Sequence, residues 1–169
     1  MATCCYCRSP FPEFECGDCG EAKFCDASCQ LRENGEHYAD EIIPGLFLGS
    51  ICAIRSGAYD DKAIISIMRQ HDLDKMQPRK HHLRIALADK SDAPIEKHFH
   101  RSNQFIESHI HSRGVLVHCH AGHSRSVTLI MNYLMTIHTM TFDEAMALVK
   151  QRRPTANPNP GFVAKLKNR

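Results

Sequence analysis

From residue 41 onward, apolar positions fall into short clusters whose spacing alternates between strand-like and helix-like. Ile42-Ile43-Pro44-Gly45-Leu46-Phe47-Leu48-Gly49 predicts two short strands around a Pro-Gly turn. Ala63-Ile64-Ile65-Ser66-Ile67 predicts a buried strand, and His82-Leu83-Arg84-Ile85-Ala86-Leu87 alternates as a half-buried one does. Asp92 can cap a helix that has Pro94 in its first turn and carries Ile95, Phe99, Phe105, Ile106 and Ile110 at near-helical spacing, with Gly114 after its end. Val115-Leu116-Val117 is a continuous apolar run, as a central parallel strand requires. A helix from about Arg125 to His138 follows. Thr141 and Glu144 then form a capping box for a helix ending near Arg153. Residues 155–161 read as a loop and a short last helix closes the chain. Alternating strands and helices predict an α/β domain, a central mostly parallel sheet flanked by helices on both faces.

Composition narrows the functional classes. The chain has 169 residues and 43% of them are hydrophobic, enough for a packed core. A formal net charge of +2 is too balanced to point to nucleic acid as the main partner. The twelve histidines make the charge sensitive to pH near neutrality. Residues 1–20 lack the apolar segment of a signal peptide, and no run approaches the ~18 apolar residues of a membrane span. Ala2 and the terminal Leu166-Lys167-Asn168-Arg169 carry no lipidation motif. The expectation is a soluble protein of the reducing cytoplasm and/or nucleus, with no membrane partner.

The cysteines divide the chain. Seven of the nine lie between Cys4 and Cys29; only Cys52 and Cys119 lie elsewhere. The expected organisation is therefore a small module over 1–40 and a larger domain over 41–169. The first module reads Cys4-x2-Cys7-x8-Cys16-x2-Cys19-x5-Cys25-x3-Cys29-x7-His37. Cysteine pairs two residues apart let both sulfurs face one tetrahedral zinc, and this ligand supply suits two sites. In a segment of about 40 residues, metal would supply folding energy that a small core cannot.

The segment that carries the chemistry is Val117-His118-Cys119-His120-Ala121-Gly122-His123-Ser124-Arg125-Ser126, which joins the central strand directly to the next helix. Such a loop points successive backbone N–H groups inward, and the helix N-terminus adds positive potential. Gly122 permits close backbone approach to a phosphate. The Arg125 fork can hold two phosphoryl oxygens. The same field that binds a phosphate dianion lowers a thiol pKa, so Cys119 is placed to act as a thiolate nucleophile.

This stretch, His-Cys-x-x-x-x-x-Arg-Ser, resembles the signature of the protein tyrosine phosphatase superfamily, and its surroundings resemble the dual-specificity branch. Ile43-Pro44-Gly45-Leu46-Phe47-Leu48-Gly49-Ser50, Asn132-Tyr133-Leu134-Met135, Gln151-Arg152-Arg153 and Pro158-Asn159-Pro160-Gly161-Phe162 match that branch's other blocks in order. The resemblance covers about residues 41–169 and implies a cysteine-phosphatase-like fold. It further implies a phosphocysteine mechanism that needs no cofactor, acting on phosphotyrosine with phosphoserine and phosphothreonine as further substrates. An upstream aspartate serves as general acid. Asp89, ten residues before Phe99, fits that spacing better than Asp92, which suits the helix cap. The resemblance assigns Ser126 to helping the thiolate leave, His118 to supporting it from below, and Asn159 to bracing the loop. The loop positions His120, Ala121, Gly122, His123, Ser124 and Arg125 would hold the phosphoryl group.

The N-terminal pattern resembles the MYND zinc finger, with Phe24-Cys25-x3-Cys29-Gln30 and His37 as its second half. That family's interleaving would give Cys4, Cys7, Cys25 and Cys29 to one zinc and Cys16, Cys19 and His37 to the other. Glu41 stands where the family has a final cysteine, so either Glu41 or Asp40 completes the second site through oxygen or that site is weak or empty, and Cys5 is a spare thiol that could replace Cys4. The implied partner is a proline-containing peptide. Two rival functional readings remain at this stage. One is a phosphoprotein-binding adaptor that uses the fold without catalysis. The other is a phosphatase of a phosphoinositide, an RNA 5′-phosphate or a phosphoglycan.

Overall fold

The structure, a computed structural model, describes residues 14–15, 23–24, 39–55 and 57–169. The proposed zinc ligands Cys4, Cys7, Cys16, Cys19, Cys25, Cys29 and His37, with the spare Cys5, lie outside the described residues. Within the N-terminal segment β1 (Phe14–Glu15) pairs antiparallel with β2 (Lys23–Phe24), so that Phe14 stands opposite Phe24 and Glu15 opposite Lys23.

The main sheet has five strands: β3 (Ala39–Ile43), β4 (Leu46–Gly49), β5 (Ala63–Met68), β6 (His82–Ala86) and β7 (Val115–His118). Their spatial order is β3-β4-β7-β5-β6. β3 runs antiparallel to β4, while β4, β7, β5 and β6 are parallel to their neighbours. The sheet is thus mixed but mostly parallel. β3 begins at Ala39, which makes Ala39 and Asp40 part of this sheet. Gly45, at φ +82°, closes the β3–β4 turn, where its N–H donates to Glu41 Oε1 at 2.8 Å.

Every residue of β5 and β7 is buried, because these central strands are covered on both faces. β6, at the edge, alternates as its sequence predicts. One face carries the main core. There, helices α3 (Phe99–His109), α4 (Arg125–Ile137), α5 (Phe142–Arg152) and α6 (Pro160–Lys167) pack with Leu48, Ile65, Ile67, Val115 and Val117. α4 is buried all round from Arg125 to Leu134, as befits a helix enclosed by sheet and helices. The other face holds two short helices, α1 (Ile51–Arg55) and α2 (Gln70–Asp74), and a small cluster of Ala39, Ala53 and Leu116.

The Thr141–Glu144 capping box forms at the start of α5 as the sequence predicts. The expected Asp92 cap does not form. A 3-10 turn (Ile95–His98) starts after Pro94, and α3 begins only at Phe99. The two N–H groups Asp92 would cap are unavailable: Pro94 has none, and that of Ile95 bonds Ala93 O at 2.9 Å. Among the described residues no helix is long and apolar enough to cross a membrane.

Candidate active site

The parallel strands β5, β6 and β7 all end on one side of the sheet, at Met68, Ala86 and His118. Crevices beyond the carboxyl ends of parallel strands are where α/β folds bind ligands. A cavity of about 430 Å³ lies there, lined by Cys119, His120, Ala121, His123, Ser124 and Arg125, by Asp89 after β6, and by Arg69, His71 and Asp72 after β5.

Cys119 is 2% exposed. Its Sγ accepts the Gly122 N–H at 3.2 Å and lies 3.2 Å from Ser126 Oγ. Burial is the largest single influence on the thiol and raises its pKa. The Arg125 guanidinium, the Ser126 hydroxyl and the N–H groups of Ser126 and Gly122 together outweigh it, and the net shift is downward. The loop geometry demands glycine at position 122. Its φ is +73°, and a Cβ there would fall 2.5 Å from both the Gly49 carbonyl oxygen and an Arg153 nitrogen.

Arg125, 7% exposed, donates to Leu87 O at 2.9 Å. Its Nε is buried with no hydrogen-bond acceptor and stands 3.6 Å from Asp89 Oδ2, within ion-pair range only. An N–H left unsatisfied on the wall of a cavity is what an incoming phosphoryl oxygen would satisfy. Asp89 is fixed by its other oxygen: Oδ1 accepts Ser124 Oγ at 2.8 Å and Asn159 Nδ2 at 2.6 Å. Asn159 also caps α6 through its Oδ1 and bonds Ser124 Oγ through its backbone N–H. It therefore holds the aspartate as well as the loop. Asp92 does not line the cavity.

Behind the loop runs a chain of polar groups. His118 is fully buried, and burial drives its pKa down to about 3, so it is neutral at physiological pH. The Cys119 carbonyl can only accept, so the single His118 proton sits on Nδ1, 3.1 Å from that oxygen. Nε2 is then an acceptor and takes the Ser66 hydroxyl at 2.5 Å. Ser66 Oγ in turn accepts from His82 Nε2 at 2.7 Å. Every link has one donor and one acceptor, and the direction fixes one tautomer for each histidine.

The loop is also held from outside. Arg153, 1% exposed, donates to Gly122 O at 2.7 Å and Ala121 O at 3.1 Å. Its remaining arm reaches Asp40 Oδ2 at 2.6 Å. The two carboxylates offered as oxygen ligands for zinc are thus engaged here, Asp40 with Arg153 and Glu41 with the Gly45 turn.

The structure brings together Cys119, Asp89, Ser126, His118, Asn159 and the whole 120–125 loop. Sequence reasoning missed Ser66 and His82 behind the loop, the clamp by Arg153, and the α2 side of the cavity. A buried serine inside the apolar run 63–67 was the one available hint of the first.

Known proteins agree with this geometry. Residues 50–169 match the family model "Dual specificity phosphatase, catalytic domain". The chain is 42% identical over 131 residues to MAP kinase phosphatase with leucine-rich repeats protein 3 of Dictyostelium discoideum, a match covering 75% of this chain and 15% of that protein. It is 36% identical over 143 residues to dual specificity protein phosphatase 1B of Arabidopsis thaliana, covering 82% and 85% respectively. The match to mouse dual specificity protein phosphatase 15 takes in about half of that relative, 55%. Among solved structures, human tyrosine phosphatase-like serine/threonine/tyrosine-interacting protein superposes with a TM-score of 0.69 at 30% identity, over 77% of this chain and 93% of that one. The chain belongs to the dual specificity phosphatase catalytic-domain family.

Proposed function

We propose that the chain hydrolyses phosphate monoesters on proteins through a covalent phosphocysteine at Cys119. The observation that carries this reading is the thiol itself. Cys119 Sγ lies against the Gly122 N–H and the Ser126 hydroxyl in a cradle that ends in Arg125, and its pKa is lowered despite full burial.

In the first step the Cys119 thiolate attacks phosphorus in line. The S–P bond forms as the ester O–P bond breaks, and Asp89 gives its proton, from Oδ2, to the leaving oxygen. The loop amides and the Arg125 fork hold the equatorial oxygens, where charge accumulates. In the second step water attacks phosphorus and Asp89 takes its proton. The S–P bond breaks, the Ser126 O–H stabilises the departing thiolate, and inorganic phosphate leaves. His118 touches no reacting atom; it positions the loop through the Cys119 carbonyl. Proteins bearing phosphotyrosine, with phosphoserine and phosphothreonine beside it, are the proposed substrates, which the names of the relatives favour.

An adaptor would need the cradle but not a lowered thiol pKa or a fixed aspartate, and both features favour the enzyme. The test is Cys119→Ser. Hydrolysis of p-nitrophenyl phosphate and of a phosphotyrosyl peptide should fall by orders of magnitude while the variant still binds the peptide. Undiminished hydrolysis would overturn the reading.

The N-terminal module is proposed, on its cysteine spacing, to bind one to two zinc ions and, on its resemblance to the MYND finger, to dock a proline-containing peptide. Thiolate ligands at that spacing would hold the metal as a structural element. Metal content by mass spectrometry tests this, and zinc-free protein from metal-replete cells would refute it.

A further inference from the structure

A second cavity, about 310 Å³, adjoins the catalytic one on the α1–α2 face of the sheet. Met68 at the end of β5 and Ile51 of α1 are buried in its floor, and Ile54 and Met76 form half-buried walls. Asp72 and His120 line both cavities and so form the ridge between them.

That ridge is firmly built. The His120 carbonyl accepts the Ile51 N–H at 3.0 Å, and Asp72 bonds Arg69 O through its N–H at 3.1 Å. The Asp72 carboxylate lies 3.0 Å from His71 Nε2. Two basic residues border the groove. Arg79 is held by Asp60 at 2.5 Å, which leaves exposed Lys75 as the cation available to a ligand.

The two cavities are continuous except for this ridge. A substrate anchored by its phosphoryl group at Cys119 can extend its neighbouring atoms across His120 and Asp72 and over the groove. The groove offers adaptable methionine and isoleucine surface, with Lys75, Gln77 and Arg79 at its border. Such a concavity takes an apolar side chain over its floor and leaves the ligand's polar groups at the rim.

We propose that this groove is a substrate subsite that takes a large apolar side chain flanking the phosphorylated residue of a peptide, with an acidic residue beyond it paired to Lys75. The proposal rests on the phosphatase reading of the neighbouring cavity and adds the sequence preference of the substrate.

Short phosphotyrosyl peptides carrying Leu or Ser, one and two residues to either side of the phosphotyrosine, provide the test. At one of those positions Leu should raise kcat/KM by roughly tenfold over Ser, the range one pocket gives for apolar discrimination. Met76→Asp should reduce that preference below about twofold and leave p-nitrophenyl phosphate hydrolysis unchanged, because that substrate reaches only the catalytic cavity. Ile54→Ser should act in the same direction, and unchanged aryl phosphate hydrolysis shows that each variant is folded. Lys75→Glu should reverse the benefit of a more distant Glu.

Equal rates for Leu and Ser peptides, or a Leu preference that survives both variants, would overturn the subsite. So would hydrolysis of a short-chain phosphoinositide that falls in Met76→Asp while peptide hydrolysis does not. Wild-type protein inert toward p-nitrophenyl phosphate would instead overturn the phosphatase reading beneath it.

Discussion

At Cys119 two opposing environments meet, and the balance decides the chemistry. Burial alone would make it an inert core thiol, while Arg125, Ser126 and the loop amides reverse that tendency. The residues just behind it show the opposite arrangement. His118 and His82 are kept neutral by burial, with pKa values pushed down to about 3 and about 4. Arg84 and Arg79 add to the effect at His82. Their ordinary value lies near 6.5. As pH falls below that value, the unfolded chain takes up protons that the folded chain refuses, so stability declines steadily toward pH 4 and then 3. Replacing His82 with Gln keeps a donor for Ser66 but removes one of these titrations. Urea unfolding between about pH 7 and 5 should show a shallower loss of stability in His82→Gln than in wild type. Equal slopes would mean that His82 titrates freely in the folded protein. Cys119 and Arg125 were legible in the sequence because the loop is contiguous and its spacing is dictated by phosphate, whereas Asp89, 30 residues upstream of Cys119, was reached only through the spacing that the family resemblance implies. Ser66 and His82 were not, because their roles depend on strands β5 and β6 lying side by side with β7 at the next position.

Among the elements, the loop between β7 and α4 is held by parts of the chain far away in sequence. Arg153, just past α5, ties two loop carbonyls to Asp40 on β3. Removing Arg153 leaves the Gly122 and Ala121 carbonyls without this donor, and a buried polar group left unsatisfied costs about 1–3 kcal/mol. Arg153→Met should therefore lower the unfolding free energy by roughly that amount. Its kcat should fall as well, since two cradle carbonyls lose their donor. A stable variant with normal kcat would show that the loop holds its shape unaided. The strands, α4 and the capped α5 were predictable from periodicity and capping chemistry. α1 and α2 span five residues each, too few for a helical period to register, and both pass unseen in the sequence. The Asp92 cap failed for a local reason: Pro94 has no N–H to offer, and the Ile95 N–H is taken by the Ala93 carbonyl.

For the molecule as a whole, three parallel strands deliver their ends to one crevice, and every proposed catalytic group sits there or behind it. The α/β layering and the mostly parallel sheet followed from alternating periods. The antiparallel β3–β4 pair followed from its Pro-Gly turn, but its place at the sheet edge beside β7 did not, because pairing between distant strands is not written in a hydrophobic pattern. The catalytic set lies within 89–126, whereas the seven clustered cysteines lie within 4–29. If the proposed zinc is bound, a chelator titration should accordingly strip it from the N-terminal module while aryl phosphatase activity stays nearly constant. Activity that falls in step with metal loss would mean that the two parts of the chain act as one.

The proposed mechanism makes the phosphocysteine visible under one condition. An activated aryl phosphate needs no proton to leave, but the second step still needs Asp89 as base. Asp89→Ala should therefore accumulate the intermediate with p-nitrophenyl phosphate. Acid-quenched during turnover, the intact protein should gain the mass of one phosphoryl group, and peptide mapping should locate it on Cys119. Turnover with no adduct, or an adduct on a histidine or serine instead, would contradict the nucleophilic role of Cys119.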